Sequence, residues 1–253
     1  MIVGGTHGAG RELVSLLSGQ GAHVSVLGRR PPGEDDAVLS GVRFYQGDLT
    51  DRDDILSYVE ASVRDNGPIN GIAFYQRYRG GGDDWTGEIA VSLTGTRDVV
   101  EAAVPYFAHS GPKSIVMISS IAGQFIASEQ SVSYHLAKAG VERIAAYYAV
   151  TLGREGIRVN CVRPGTMLKE ESKDFYLNNK SLVELYEKLT PLGRMGSSLE
   201  LAKTVRFLLS DDASFITGQI LAMDGGVSLQ WPEGVCREIA GLDIDVTRNG
   251  KEK

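Results

Sequence analysis

The sequence predicts a single α/β domain: a doubly wound parallel sheet of seven strands flanked by helices. Three observations carry that expectation. The chain has 253 residues, which suits one large domain. Short apolar runs rich in β-branched residues alternate with longer segments of helical period, the pattern of βαβ units. A glycine-rich turn separates the first apolar run from the first helical segment. No internal repeat, low-complexity tract or Pro/Ser linker marks a boundary inside residues 1–228, and residues 229–253 read as a tail extension.

The strands are expected at residues 1–3, 22–27, 42–46, 69–75, 114–119, 158–163 and 219–223. The first helix begins near Ala9 and carries Leu13, Val14, Leu16 and Leu17. The second follows Thr50, an N-cap with Asp53 three residues on, and shows Ile55, Val59 and Val63 on one stripe. A third spans 89–107. A fourth spans 131–154 with Ala137, Val141, Ile144, Ala145, Tyr148 and Leu152 aligned. Two more are expected at 181–189 and 199–209.

Composition removes several classes of function. With 26 basic and 32 acidic residues the formal charge is −6, against the basic face that nucleic-acid binding needs. Cys161 and Cys236 form no CxxC pair, so a reducing, cytoplasmic setting is expected. His7, His23, His109 and His135 lack metal-ligand spacing, so no metal is expected. No apolar run reaches a membrane span, and no signal peptide is visible.

The turn Val3-Gly4-Gly5-Thr6-His7-Gly8-Ala9-Gly10 closes a strand and opens a helix. Gly4, Gly8 and Gly10 let the backbone turn tightly, and the helix start offers N–H groups to a pyrophosphate, with Thr6 and His7 at its edge. The same glycines also suit a plain tight turn. Only three residues precede Gly4, so either the sheet accepts a stub here or the native start lies upstream of Met1. At the end of the second strand, where an acidic residue favours NAD, Gly28 is followed by Arg29 and Arg30. Guanidinium groups suit a 2′-phosphate, which favours NADP(H) over NAD; the alternative is a solvated basic pair before the loop at 31–33.

Tyr134-His135-Leu136-Ala137-Lys138 puts a phenol and an ammonium one turn apart on a helix face. A free tyrosine, with a pKa of about 10, is a poor base at neutral pH. A fixed cation nearby favours the phenolate. Alone, the pair could be a surface contact. Fourteen residues before Tyr134, the apolar strand at 114–119 ends in Ser119 and Ser120. Ligands of such sheets sit beyond the carboxyl ends of the strands, so a serine there can hold a substrate oxygen beside the phenol.

In these features the chain resembles the short-chain dehydrogenase/reductase family, over roughly residues 1–228. The matching features run in order: the Gly4/Gly8/Gly10 turn, Asp48-Leu49, Ser120 with Tyr134 and Lys138, Asn160 with Pro164-Gly165, Pro191-Leu192-Gly193-Arg194-Met195-Gly196, and Thr217-Gly218-Gln219 with Asp224-Gly225-Gly226. The resemblance implies a Rossmann-type fold and hydride transfer between a nicotinamide dinucleotide and a carbonyl or secondary alcohol. It implies Tyr134 as general acid in reduction and base in oxidation. Lys138 holds the nicotinamide ribose and depresses the tyrosine pKa, and Ser120 orients the substrate oxygen. Asp48 and Leu49 meet the adenine, and Pro164, Gly165 and Thr166 line the nicotinamide side. A homotetramer or homodimer through the helices at 89–107 and 131–154 is also implied.

The pattern breaks in three places. Where the family carries Asn-Asn-Ala-Gly, this chain has Phe74-Tyr75-Gln76-Arg77. Either that loop moves away or its side chains make new contacts, with Arg77 and Arg79 facing a phosphate, an acidic substrate or solvent. Ser92 stands where the family has a relay asparagine, and a hydroxyl offers fewer hydrogen bonds than an amide. The interval from Ser120 to Tyr134 is one residue longer than usual, the extra residue falling in 124–133. These departures keep a second reading open, a dinucleotide-binding sensor or partner subunit with little turnover. A Ser-His hydrolase has no G-x-S-x-G elbow to support it. Residues 167–189 mix charged positions, among them 169–171, with Phe175, Tyr176 and Tyr186, and read as a substrate lid or a plain amphipathic helix. Trp231, Val235, Ile239 and Leu242 have helical spacing in a tail that frays over 245–253.

Overall fold

The centre of the sheet rests on a two-residue strand. The computed structural model describes residues 1–30, 39–80, 84–168 and 173–242; the expectations for 31–33, 169–171 and 245–253 lie outside them. In these residues β1 (Ile2–Val3) pairs in parallel with both β2 (Val24–Gly28) and β4 (Gly71–Phe74). The remaining main strands are β3 (Val42–Gln46), β5 (Ser114–Ile118), β6 (Arg158–Pro164) and β9 (Ile220–Met223). The sheet runs β3-β2-β1-β4-β5-β6-β9, and every pairing is parallel. The expected doubly wound seven-stranded sheet is therefore present. Chain order reverses between β1 and β4, which opens a crevice at their carboxyl ends. A separate two-stranded pair, β7 (Met167–Leu168) with β8 (Gly196–Ser197), lies beyond β6. Strands this short carry no periodicity, so the sequence did not show them.

Helices cover both faces. On one side α1 (Gly8–Ser18) packs against α8 (Ser198–Leu209), and Leu13, Val14, Leu201 and Val205 bury onto Ile2, Val26 and Val116. On the other, α2 (Arg52–Asn66), α4 (Gly95–Ala103) and α5 (Val132–Thr151) bury Ile55, Val59, Val99, Val100, Val141 and Ala145 against Leu27, Ile72 and Met117. Strands buried on both faces explain their near-continuous apolar runs.

Local chemistry sets the helix starts, and two differ from the sequence reading. Asp51, not Thr50, caps α2: its carboxylate accepts from the Asp53 and Asp54 N–H groups. A carboxylate one residue later outcompetes the threonine hydroxyl because it is charged and faces the positive helix end. The third helical segment starts earlier than residue 89, with α3 (Trp85–Ile89) capped by Asp84, and passes through a π-helical turn at Ala90–Thr94 into α4. Ser131 caps α5 by accepting from Tyr134 N–H, which fixes the register of Tyr134 and Lys138 on that helix. Between β7 and β8 lie α6 (Lys173–Leu177), which the sequence did not reveal, and α7 (Lys180–Leu189). The start of the tail forms α9 (Pro232–Ile239). Among the described residues no helix is long and apolar enough to cross a membrane.

Candidate active site

A cleft of about 660 Å³ opens at the carboxyl ends of β1, β2, β4, β5 and β6. Of the residues singled out from the sequence, Gly4, Thr6, His7, Gly8, Gly10, Arg29, Arg30, Asp48 and Leu49 line it from one end. Ser120, Tyr134, Lys138, Pro164, Gly165 and Thr166 line it from the other. The topology brings together positions as far apart in the chain as Gly4 and Thr166, because most follow the carboxyl ends of parallel strands and α5 packs beside them.

The glycine turn is close backbone packing. Gly4 has φ +81°, and a Cβ there would fall 2.6 Å from the Gln76 backbone nitrogen. A Cβ on Gly10 would fall 2.5 Å from the Gly4 carbonyl oxygen. Larger residues would push α1 away from the strand end. No side chain caps α1, since His7 is its N-cap without a side-chain hydrogen bond. The first turn of α1 therefore lines the cleft with helix-start N–H groups that suit an anion. Arg29 and Arg30 are exposed at the rim, and among the described residues neither guanidinium has a carboxylate partner. Asp48 is partly committed, its Oδ1 accepting from Thr50 N–H and Oγ1 at 2.9 Å each.

At the other end Tyr134 and Lys138 stand one turn apart on α5, with the Lys138 ammonium 5.6 Å from the Tyr134 ring centre. Lys138 is buried and donates to the Ile118 carbonyl at 3.2 Å. Desolvation lowers its pKa, and the charge of Glu88 partly opposes that. The Ser120 hydroxyl accepts from Ala122 N–H at 3.2 Å, which leaves its own proton free to be donated. Behind it Ser119 donates to Glu142 at 2.8 Å, and Glu142 is gripped by Arg163 through two hydrogen bonds of 2.7 and 2.6 Å. This partly buried ion pair ties the Ser119–Ser120 strand end to α5 and β6.

Ser92 needs correcting. Its side chain does not line the cleft: it is buried in the π-helical turn, and its hydroxyl donates to Glu88 at 2.7 Å. The Glu88 carboxylate lies four residues earlier, one turn away on the same helical segment, and a charged acceptor within reach draws the hydroxyl to it. The Ser92 carbonyl accepts from Thr96 Oγ1 at 2.7 Å.

The bulky loop after β4 has not moved away. Tyr75, Gln76 and Arg77 all line the cleft, where sequence reasoning left their place open. Gln76 Nε2 donates to Thr96 Oγ1 at 2.6 Å, while Gln76 Oε1 and Tyr75 Oη are buried with no partner among the described residues. Unpartnered buried acceptors are costly unless a ligand meets them. Together with the glycine cradle, they fit a bound dinucleotide, whose hydroxyl and amide groups supply donors. From the region expected to act as a lid, Tyr176 reaches the cleft wall. Among the described residues no cluster of His, Cys, Asp and Glu could hold a metal ion.

Comparison with known proteins agrees with this geometry. The family model described as enoyl-(acyl carrier protein) reductase matches residues 3–228. The 3-oxoacyl-(acyl-carrier-protein) reductase of Thermotoga maritima is 31% identical over 243 residues, covering 90% of this chain and 96% of that one. The L-rhamnose 1-dehydrogenase (NAD(P)(+)) of a Sphingomonas species is 30% identical over 242 residues, covering 90% and 94%. Among solved structures, the aldohexose dehydrogenase of Thermoplasma acidophilum superposes with a TM-score of 0.80 at 26% identity, covering 91% of this chain and 95% of that one. The chain belongs to the short-chain dehydrogenase/reductase family. It is a pyridine-nucleotide-dependent oxidoreductase.

Proposed function

We propose that the protein is an NADP(H)-preferring reductase or dehydrogenase of a small carbonyl or secondary-alcohol compound, and that Tyr134 carries the proton. The observation that supports this best is the buried Lys138 ammonium one helical turn from Tyr134, with Ser120 in the same cleft wall. The dinucleotide supplies or accepts the hydride when bound. Around it, this chain's residues have distinct tasks. Gly4, Gly8 and Gly10 with the start of α1 take the pyrophosphate, and Thr6 and His7 border it. Asp48 and Leu49 hold the adenine end, and Pro164, Gly165 and Thr166 the nicotinamide end. Lys138 holds the ribose and keeps positive charge by the phenol. Ser120 donates to the substrate oxygen, and Tyr134 gives that oxygen a proton in reduction and removes it in oxidation.

Gly28, Arg29 and Arg30 support NADP(H): the rim offers guanidinium groups without a carboxylate partner among the described residues, and Gly28 stands at the position where an acidic side chain favours NAD. Exposed Leu136, Tyr147 and Val150 on α5 support a homodimer or homotetramer built on the helices at 89–107 and 131–154. Residues 1–228 form the binding and catalytic unit and 229–253 the tail extension. The free thiols of Cys161 and Cys236 support a cytoplasmic setting. The test follows NADPH oxidation with a panel of carbonyl compounds. Turnover by the wild type that falls about 10²- to 10⁴-fold in Tyr134→Phe, with dinucleotide binding retained, supports the reading. Near-wild-type turnover in that variant overturns the role of Tyr134.

A further inference from the structure

The proposed function leaves the substrate open, and Arg77 narrows it. Arg77 follows β4, and its guanidinium carbon lies 5.5 Å from the centre of the Tyr134 ring. The residue is exposed to the cleft and pairs with no carboxylate among the described residues. A cation is therefore held over the proposed proton donor, at the Tyr134 end of a cleft whose other cation there, Lys138, is already engaged by the Ile118 carbonyl.

Two further observations bear on its partner. The protein carries a formal charge of −6, yet among the described residues the charged side chains lining the cleft are Arg29, Arg30, Arg77, Arg79 and Lys138 against the one carboxylate of Asp48. Arg29 and Arg30 follow β2, whereas Arg77 lies at the Tyr134 end. A second cavity behind Arg77 and Tyr134 is lined by Asp84, Glu88 and Glu129. There Asp84 accepts from Tyr78 and from Gly87 N–H, and Glu88 accepts from Ser92, while none of the three pairs with Arg77. Those acids disfavour an anion in the second cavity, which leaves the cleft side of Arg77 as the place for one.

We propose that Arg77 anchors a carboxylate of the substrate, so that the compound reduced is a short oxo acid. The inference rests on the dinucleotide-dependent reading of the same cleft. The planar guanidinium can take a carboxylate through two parallel N–H···O bonds and so fix the carbonyl relative to Tyr134 and Ser120. In reduction the carbonyl carbon gains a hydride from the reduced dinucleotide. The carbonyl oxygen gains the Tyr134 proton, and the product is the hydroxy acid with the dinucleotide oxidised. Arg77 makes and breaks no bond; it binds and orients.

The test compares kcat/KM for pyruvate, acetoacetate and levulinate with that for their methyl esters, using NADPH. Acid and ester carry the same ketone, and their intrinsic difference in reactivity cancels when the ratio is compared between wild type and Arg77→Gln, so the change in ratio isolates the anion. The expected result is that at least one acid exceeds its ester by about tenfold or more in the wild type. In Arg77→Gln that ratio falls to about one, while Arg77→Lys keeps most of it. Esters that match or outrun every acid in the wild type overturn the proposal, as does a ratio that survives Arg77→Gln. Calorimetry with NADPH on the same preparation separates the two failures. Binding without an acid preference removes the carboxylate anchor alone, whereas no binding removes the dinucleotide reading beneath it as well.

Discussion

The Lys138 ammonium stands 5.6 Å from the centre of the Tyr134 ring and spends one proton on the Ile118 carbonyl at 3.2 Å. Burial lowers the lysine pKa below its ordinary 10.5, and the Glu88 charge pulls it part of the way back. A lysine is charged below its pKa, so activity that needs the cation persists at lower pH and fails as pH rises through that lowered value. The kcat/KM profile is predicted to show an alkaline limb below the ordinary lysine value. Glu88→Gln is predicted to move it lower still. A limb at or above 10.5 contradicts the assignment.

Arg29→Ala is predicted to weaken NADPH binding by about 10- to 100-fold, the worth of one charge-assisted hydrogen bond to a phosphate, and to change NADH binding little. Calorimetric titration of the variant with each dinucleotide measures this. Equal losses would remove the argument for a 2′-phosphate.

Gly4→Ala is predicted to cost about 1–3 kcal/mol, because the residue sits at φ +81° with the Gln76 nitrogen 2.6 Å from the new Cβ. Dinucleotide affinity falls with it, since the same backbone forms the cradle. An unchanged Tm with unchanged affinity is inconsistent with this geometry.

Glu142→Ala is predicted to destabilise the fold by about 3–5 kcal/mol by leaving the Arg163 guanidinium partly buried without its charge partner. Ser119 also loses its nearest acceptor and is left with the Lys138 carbonyl at 3.0 Å. The midpoint of urea unfolding reads the effect, and a shift under about 0.5 kcal/mol, typical of a surface change, would contradict it.

The two cysteines are predicted to behave differently. Burial pushes the Cys161 thiol up to about 12, so at neutral pH it holds its proton and is shielded, while Cys236 is exposed. A thiol-disulfide reagent is expected to titrate one thiol per native chain and two after denaturation. Two reactive thiols in the native state would show that β6 is not closed over Cys161.

Periodicity and glycine placement made much of this molecule readable in its sequence. Parallel strands buried on both faces appear as apolar runs, and Tyr134 and Lys138 share a helix face by spacing alone. What escaped depends on contacts distant in sequence or on competition between neighbours. Asp51 and Thr50 are both good capping residue types, and the competition went to the carboxylate while the Thr50 hydroxyl turned to Asp48. Ser92 aligned with a relay position, but only the fold reveals that Glu88 takes its hydroxyl. The Glu142–Arg163 pair spans two elements, and the two-residue β7 and β8 have no pattern to read. The loop 75–77 broke the family's pattern visibly, yet whether its side chains entered the cleft was decided by packing against α1 and Thr96.

The most direct test of the central claim is calorimetric titration of the purified wild-type protein with NADPH and then NADH. One site per chain with NADPH bound at least about tenfold more tightly is the predicted result, since the glycine cradle and Arg29 act together. Binding of neither dinucleotide would contradict the account, because Tyr75, Gln76 and Arg77 would then be filling the cleft rather than lining it.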